Sequence, residues 1–321
     1  MLLPRHLGRL RGRRRGPTLL VVAGVHGNEP AGVEGLQRFL RKLDGGGGIR
    51  AGEVVGLTGN RTALERGVRY VDTDLNRIWH ADAGLTPTET AMDSVEARER
   101  RELASALRAA TRRARGAVYV LDLHTTSSDG GAFAPTSSNP TSRRFAESLQ
   151  VPVVLGMAER LGGTLLDEVE RQGWIGAVLE AGRHDDPASV ERSEAAIWGT
   201  AQRLGMFGRW GAWRRQIRWA RRELARAAQG LPHTVEVRHR QAVPHAGALR
   251  LQPGLRNFRP VRAGERLGEV QGEPLHAQED GLLLMPLYQA VGTDGFFLVR
   301  SIAPAWTGPL TRVVRRDRGG G

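Results

Sequence analysis

Cysteine is absent from the 321-residue chain. Its absence excludes disulfides and thiolate ligands together, so any bound metal must rest on histidine and carboxylate, a donor set that suits zinc or another divalent hydrolase metal. A chain without cysteine also fits a cytoplasmic setting. Long apolar runs are missing too. None approaches the roughly 20 residues that span a bilayer, so no membrane partner is expected. The first apolar run, Thr18 to Val25, leads straight into His26. Cleavage of a signal peptide there would remove the motif described below, and none is expected. Lysine is nearly absent: of 47 basic residues only Lys42 is lysine, and the arginines are scattered. The net charge of +13 would otherwise suggest nucleic acid. A bias this even reads as codon pressure rather than a selected patch, which argues against nucleic-acid binding as the main function. The densest runs, Arg11 to Arg15 and Arg315 to Arg318, lie near the chain ends, where such runs are usually solvated and mobile.

What is present is an alternation of short apolar runs and helical patterns, the mark of a βαβ sheet. Strands are expected at Thr18 to Ala23, Val54 to Leu57, Ala117 to Leu121, Val151 to Leu155 and Ile175 to Leu179. Helices are expected from Pro30 to Lys42, Ser94 to Arg112, Arg143 to Leu149, Gly163 to Gln172 and Pro187 to Leu204. Trp213, Ile217, Ala220 and Leu224 recur at helical spacing between arginines. That reads as an amphipathic helix on the core with a solvated arginine face. From His233 the texture changes to period-two alternation and closely spaced turns. The division expected is a basic segment over 1–17, an α/β domain over 18–230, a small all-β domain over 231–305 and an Arg/Gly-rich tail over 306–321. The fold class is α/β, with a mixed, largely parallel sheet flanked by helices.

Three ligand-type residues follow apolar strand runs: His26 and Glu29 in His26-Gly27-Asn28-Glu29, and His124 in Asp122-Leu123-His124-Thr125. A close pair plus one distant imidazole gives a catalytic zinc three ligands and leaves one position open. Ends of strands in an open α/β sheet are where such sheets build sites. Asp122, two residues before His124, falls on the same side of an extended segment. It either fixes the imidazole tautomer or satisfies backbone amides. The stretch Arg69 to Arg77 holds two arginines, two aspartates and Asn76. It is either a carboxylate grip with its arginines held by aspartates or an exposed ion-pair loop. Glu180 ends an apolar strand and is either a general base or a structural partner for an arginine. The other seven histidines, His184 included, read as ordinary polar residues.

The cassettes Gly24 to Glu29, Arg69 to Arg77, Asp122 to Ser127 and Glu180-Ala181-Gly182 are similar in order and spacing to the succinylglutamate desuccinylase/aspartoacylase family, a branch of the zinc carboxypeptidase-like hydrolases. The resemblance covers roughly residues 18 to 300. It implies a zinc-dependent amidohydrolase with one Zn2+ per chain, acting on a small N-acyl amino acid. It implies His26, Glu29 and His124 as zinc ligands and Glu180 as general base and acid. It also implies that Arg69 polarises the scissile carbonyl and that Asn76 and Arg77 grip the substrate's α-carboxylate. Two features depart from the family. Where aspartoacylases place a tyrosine over the substrate, Gly292 to Phe297 offers phenylalanines. Arg171 is the nearest candidate for reading a second carboxylate. The readings that compete are a carboxypeptidase acting on peptides and a non-catalytic metal- or nucleic-acid-binding protein. A homo-oligomer is compatible with all of them.

Overall fold

Strand β2 (Arg14–Ala23) lies at the centre of a five-stranded sheet. On one side it pairs in parallel with β3 (Ala51–Thr58), and on the other with β4 (Val118–Thr126). Beyond β4 comes β7 (Ile175–Arg183), also parallel. The far edge is β1 (His6–Arg11), antiparallel to β3. The structure is a computed structural model that describes residues 2–79, 93–208 and 213–302. The expected tail over 306–321 and His80 lie outside the described residues.

Parallel strands of this kind need cover on both faces, and the sequence provides it by alternation. Leu19, Val21 and Ala23 face one core with Leu36 and Phe39 of α1 (Pro30–Gly45) and Trp198 of α7 (Pro187–Arg203). Leu20 and Val22 face the other, with Leu103 and Leu107 of α3 (Val95–Thr111) and Val169 of α6 (Leu165–Arg171). The helix at Arg214–Ala227 behaves as its spacing predicts. Trp213, Ala220 and Leu224 are buried, and Trp213 packs against Trp198 with ring centroids 5.0 Å apart. The only lysine, Lys42, bonds Glu194 at 2.5 Å and lies over the Trp219 ring.

Two expectations meet a different arrangement. Much of the basic stretch lies in the sheet, as β1 and the start of β2, with Leu7 and Leu10 of β1 packed on the core. Its arginine run forms the turn into β2, pinned by Gly12 N–H on Gly52 O and Arg14 N–H on Arg50 O. The second sheet crosses residue 230. β5 (Ala134–Pro135) and β6 (Val153–Leu155) come from before it, and β6 pairs in parallel with β8 (Thr234–Ala242). Further strands, ending in β14 (Asp294–Ser301), continue the sheet antiparallel to β8. A bridge between Phe133 and Glu180 ties this sheet to the first. The C-terminal β region is thus built onto the α/β body by shared hydrogen bonds. Among the described residues no helix is long and apolar enough to cross a membrane.

What this arrangement positions is one row of residues. Ala23, Leu123 and Leu179 stand abreast in β2, β4 and β7. The chain just beyond that row carries His26, His124 and Glu180.

Candidate active site

Leaving β2, the chain turns at Gly24, whose φ of +73° is open to glycine at little cost. It then presses Gly27 against α2 (Arg61–Arg66): a Cβ at Gly27 would sit 2.0 Å from the Ala63 carbonyl carbon. This contact allows Gly27 N–H to donate to Arg69 O at 3.1 Å and aims His26 and Glu29 inward. Pro30 opens α1, with Glu29 at the N-cap, yet the Glu29 side chain makes no capping bond. Its carboxylate instead faces His26 Nδ1 at 2.8 Å and His124 Nδ1 at 3.1 Å, and accepts from Thr125 N–H at 2.8 Å. One ligand-type atom from each of His26, Glu29 and His124 lies within 4.8 Å of the others, and all three residues are buried.

Each imidazole is held from behind by a second carboxylate. Asp122 Oδ2 lies 2.9 Å from His124 Nε2, as the same-face spacing on β4 allows. Asp74 Oδ1 lies 3.0 Å from His26 Nε2. Both Nδ1 atoms are thereby turned toward Glu29. Burial alone would raise the Glu29 carboxyl, but the two imidazoles hold it well below its usual value. Burial alone would lower His124, yet Asp122 and Glu29 hold it well above the ordinary imidazole value. The cluster is organised around positive charge, and its residues could hold a metal ion.

Glu180 stands opposite His124 in the β4–β7 register. β7 runs on to Arg183 rather than ending at Leu179, because pairing with β4 and the Phe133 bridge continue past the apolar run. Phe133 and Glu180 exchange both backbone bonds, at 3.0 and 2.9 Å. Burial is the largest influence on the Glu180 carboxyl and, with nearby Glu29 and Asp122, outweighs His124 and Arg69, raising it to about 8. Glu180 Oε2 is buried with no hydrogen-bond partner among the described residues.

Arg69 is bonded through Nε and Nη2 to Asp74 Oδ2, at 3.2 and 3.1 Å, and lies 3.5 Å from Glu29. Burial alone would lower its guanidinium, but these carboxylates keep it above its usual value. Asn76 and Arg77 sit in a short 3-10 turn at Leu75–Arg77, where Asn76 N–H donates to Asp74 Oδ1. Arg77 Nη2 reaches Asp294 at 2.8 Å. His26, Arg69, Asn76, Arg77, His124 and Glu180 all border one cleft of about 550 Å³ of empty space. Arg171 does not border it; its guanidinium is largely exposed and engages Glu168. Phe296 and Phe297 are fully buried. The Tyr288 hydroxyl is engaged with Gln252 O and Leu255 N–H.

Three residues matter here that the sequence reading passed over or placed differently. Asp72 accepts from Val95 N–H at the start of α3. Glu96, fully buried, accepts from Val71, Asp72 and Thr73 N–H and from Asn60 Nδ2. This one carboxylate holds the Arg69–Arg77 stretch against α3. The signal was a glutamate two residues past Ser94, which looks like ordinary helix-start chemistry. Glu96→Ala leaves four donors without their acceptor, one of them on the buried Asn60 and three on part-buried backbone. It should cost about 3–5 kcal/mol, read as a lower urea midpoint. His184 is the third. Its Nδ1 lies 2.7 Å from the Thr125 hydroxyl, and its Nε2 faces Gln289 Oε1 at 3.3 Å. Burial lowers its imidazole. It forms part of a second lobe with Thr125, Ser127 and Gln289, and both lobes share Arg69 and Arg77.

Residues 15–198 match the succinylglutamate desuccinylase/aspartoacylase catalytic domain. The chain is 31% identical over 287 residues to the succinylglutamate desuccinylase of Burkholderia thailandensis, covering 83% of this chain and 75% of the relative. Among solved structures, it is similar in fold to a succinylglutamate desuccinylase/aspartoacylase from Rhodobacter sphaeroides. The TM-score is 0.64 at 20% identity, over 92% of this chain and 88% of that one. A succinylglutamate desuccinylase from Chromobacterium violaceum matches with a TM-score of 0.64 at 19% identity, over 92% and 89%.

Proposed function

The chain belongs to the succinylglutamate desuccinylase/aspartoacylase family, and from that premise we propose that it is a zinc-dependent hydrolase of the amide bond in an N-acyl amino acid. The observation that carries this reading is the meeting of His26, Glu29 and His124 beside a buried Glu180 whose Oε2 has no partner. The donor set fits the ion. Both outer imidazole nitrogens are taken by Asp74 and Asp122, leaving the Nδ1 atoms as ligands beside a shared carboxylate.

A bound zinc ion supplies a Lewis acid that acidifies water toward neutral pH and polarises a carbonyl. The chain's own residues do the rest. Glu180, with a pKa near 8 in the metal-free protein, takes a proton from the attacking water and passes it to the departing amine. Arg69, fixed by Asp74, presents a donor to the carbonyl oxygen as charge develops there, a contribution of about 3–4 kcal/mol. Asn76 and Arg77 bind the α-carboxylate; Arg77 keeps donors beyond those it gives to Asp294 and Asn76 O. The substrate is a small molecule met in the cytoplasm.

The test is a panel of N-acetyl, N-formyl and N-succinyl amino acids with detection of freed amine, run before chelation, after it and after zinc is restored. Amine release should vanish with chelation and return with zinc. Release that survives exhaustive chelation removes the metal from the proposal. A panel with no hydrolysis at all removes the amidohydrolase.

A further inference from the structure

We infer that the amino acid released by this enzyme carries an apolar side chain rather than a second carboxylate. The inference rests on the hydrolase reading above and names its substrate class. Beyond the polar groups, the cleft beside Asn76, Arg77 and Glu180 is walled by Pro135, Met157, Leu161, Leu166, Val178 and Met285. Val178 precedes Glu180 by two positions on β7, so both project from the same face of the strand. Leu166 lies in the first turn of α6, and that turn is fastened to the carboxylate grip: Leu165 N–H donates to Asn76 Oδ1 at 2.8 Å. The Leu166 part of the apolar wall is therefore tied directly to Asn76, one of the residues that would hold the α-carboxylate. An amino acid anchored at Asn76 and Arg77 points its side chain along that wall.

The charges say the same. Among the described residues bordering this cleft the only arginines are Arg69 and Arg77. Arg69 is engaged by Asp74 and Glu29, and Arg77 by Asp294. What Arg77 has left suits one carboxylate. The other arginines close by in sequence are directed elsewhere. Arg160 donates to Val237 O, and Arg171 lies on Glu168 at the surface. Asp122 and Glu180 border the same cleft. A second substrate carboxylate would be buried without a counter-ion and beside the Asp122 carboxylate, whereas an aliphatic or aromatic side chain would gain from the wall.

The experiment compares matched pairs on the zinc-loaded full chain. Leucine, methionine and phenylalanine are set against aspartate and glutamate, each as the N-acetyl and the N-succinyl derivative. Within each acyl series, kcat/KM should favour the apolar members by about 10²-fold or more. Equal or higher values for the acidic members overturn the inference and leave the hydrolase reading standing. If no member is hydrolysed, both fall. Leu166→Arg should narrow the preference at least ten-fold by raising the acidic substrates. Val178→Arg serves as a second variant if the first fails to fold. A preference unmoved in folded, zinc-loaded forms of both would deny the wall its role.

Discussion

Glu180→Gln should lower kcat by about 10²–10⁴-fold while zinc content, read by elemental analysis, stays at one per chain. The two halves of that result come from different parts of the geometry. Glu180 is no member of the three-residue cluster, and its backbone is fixed on both sides by Phe133, so the amide should sit where the carboxyl sat. What it loses is the ability to exchange a proton. Activity near that of the unmutated chain would mean that another group takes the proton. The same variant has a signature in stability. In the metal-free protein burial raises the Glu180 carboxyl from 4.5 to about 8. Between those values the unfolded chain gives up a proton that the folded chain keeps, so stability falls as pH rises through this window and levels off above it. Glutamine carries no such proton. The urea midpoint of metal-free Glu180→Gln should therefore gain on that of the unmutated chain between pH 5 and pH 8. A constant difference would show that Glu180 titrates normally.

Glu29→Gln is the second large effect. The carboxylate meets two imidazoles, the Thr125 N–H and Arg69 within 3.5 Å. Glutamine retains an acceptor for Thr125 but removes the negative charge from a fully buried cluster. Zinc affinity should fall by more than the 10–100-fold typical of losing an outer partner, on the order of 10³-fold or more. Competition with a chromophoric chelator would measure this. Turnover at limiting zinc should fall with it. His124 is held toward its protonated form by Asp122 and Glu29 together, so the metal-free variant should also lose about 3 kcal/mol of stability. Unchanged affinity would mean that the ion is held elsewhere.

The convergence of His26, Glu29 and His124 was legible in the sequence because each follows an apolar run, and parallel strands end at one edge. Asp122 was legible for a local reason: it lies two residues from His124 on one strand. Asp74 was only half legible. It does hold Arg69, but its contact with His26 spans 48 positions of chain, and no periodicity encodes which donors a loop carboxylate will meet. Glu96 was hidden for the same reason, as four donors from two segments converge on it. His184 looked like any other imidazole until Thr125 and Gln289 closed around it. The pairing of the second sheet across residue 230 was not legible because β6 is three residues long and its partner β8 comes about 80 residues later. Short strands carry too little pattern to announce so distant a neighbour.

Asp74 carries a consequence of its own. One of its oxygens touches His26 and the Asn76 amide, and the other receives both Arg69 bonds. A single anion is thus common property of the His26–Glu29–His124 cluster, the Arg69 guanidinium and the turn that carries Asn76 and Arg77. None of the three can be retuned in isolation. Replacing Arg69 leaves Asp74 more basic toward His26, and on the proposed reading would alter how the cluster holds zinc. Substitutions at Arg69 and His26 should therefore be energetically non-additive, because both side chains are bound to the one Asp74 carboxylate.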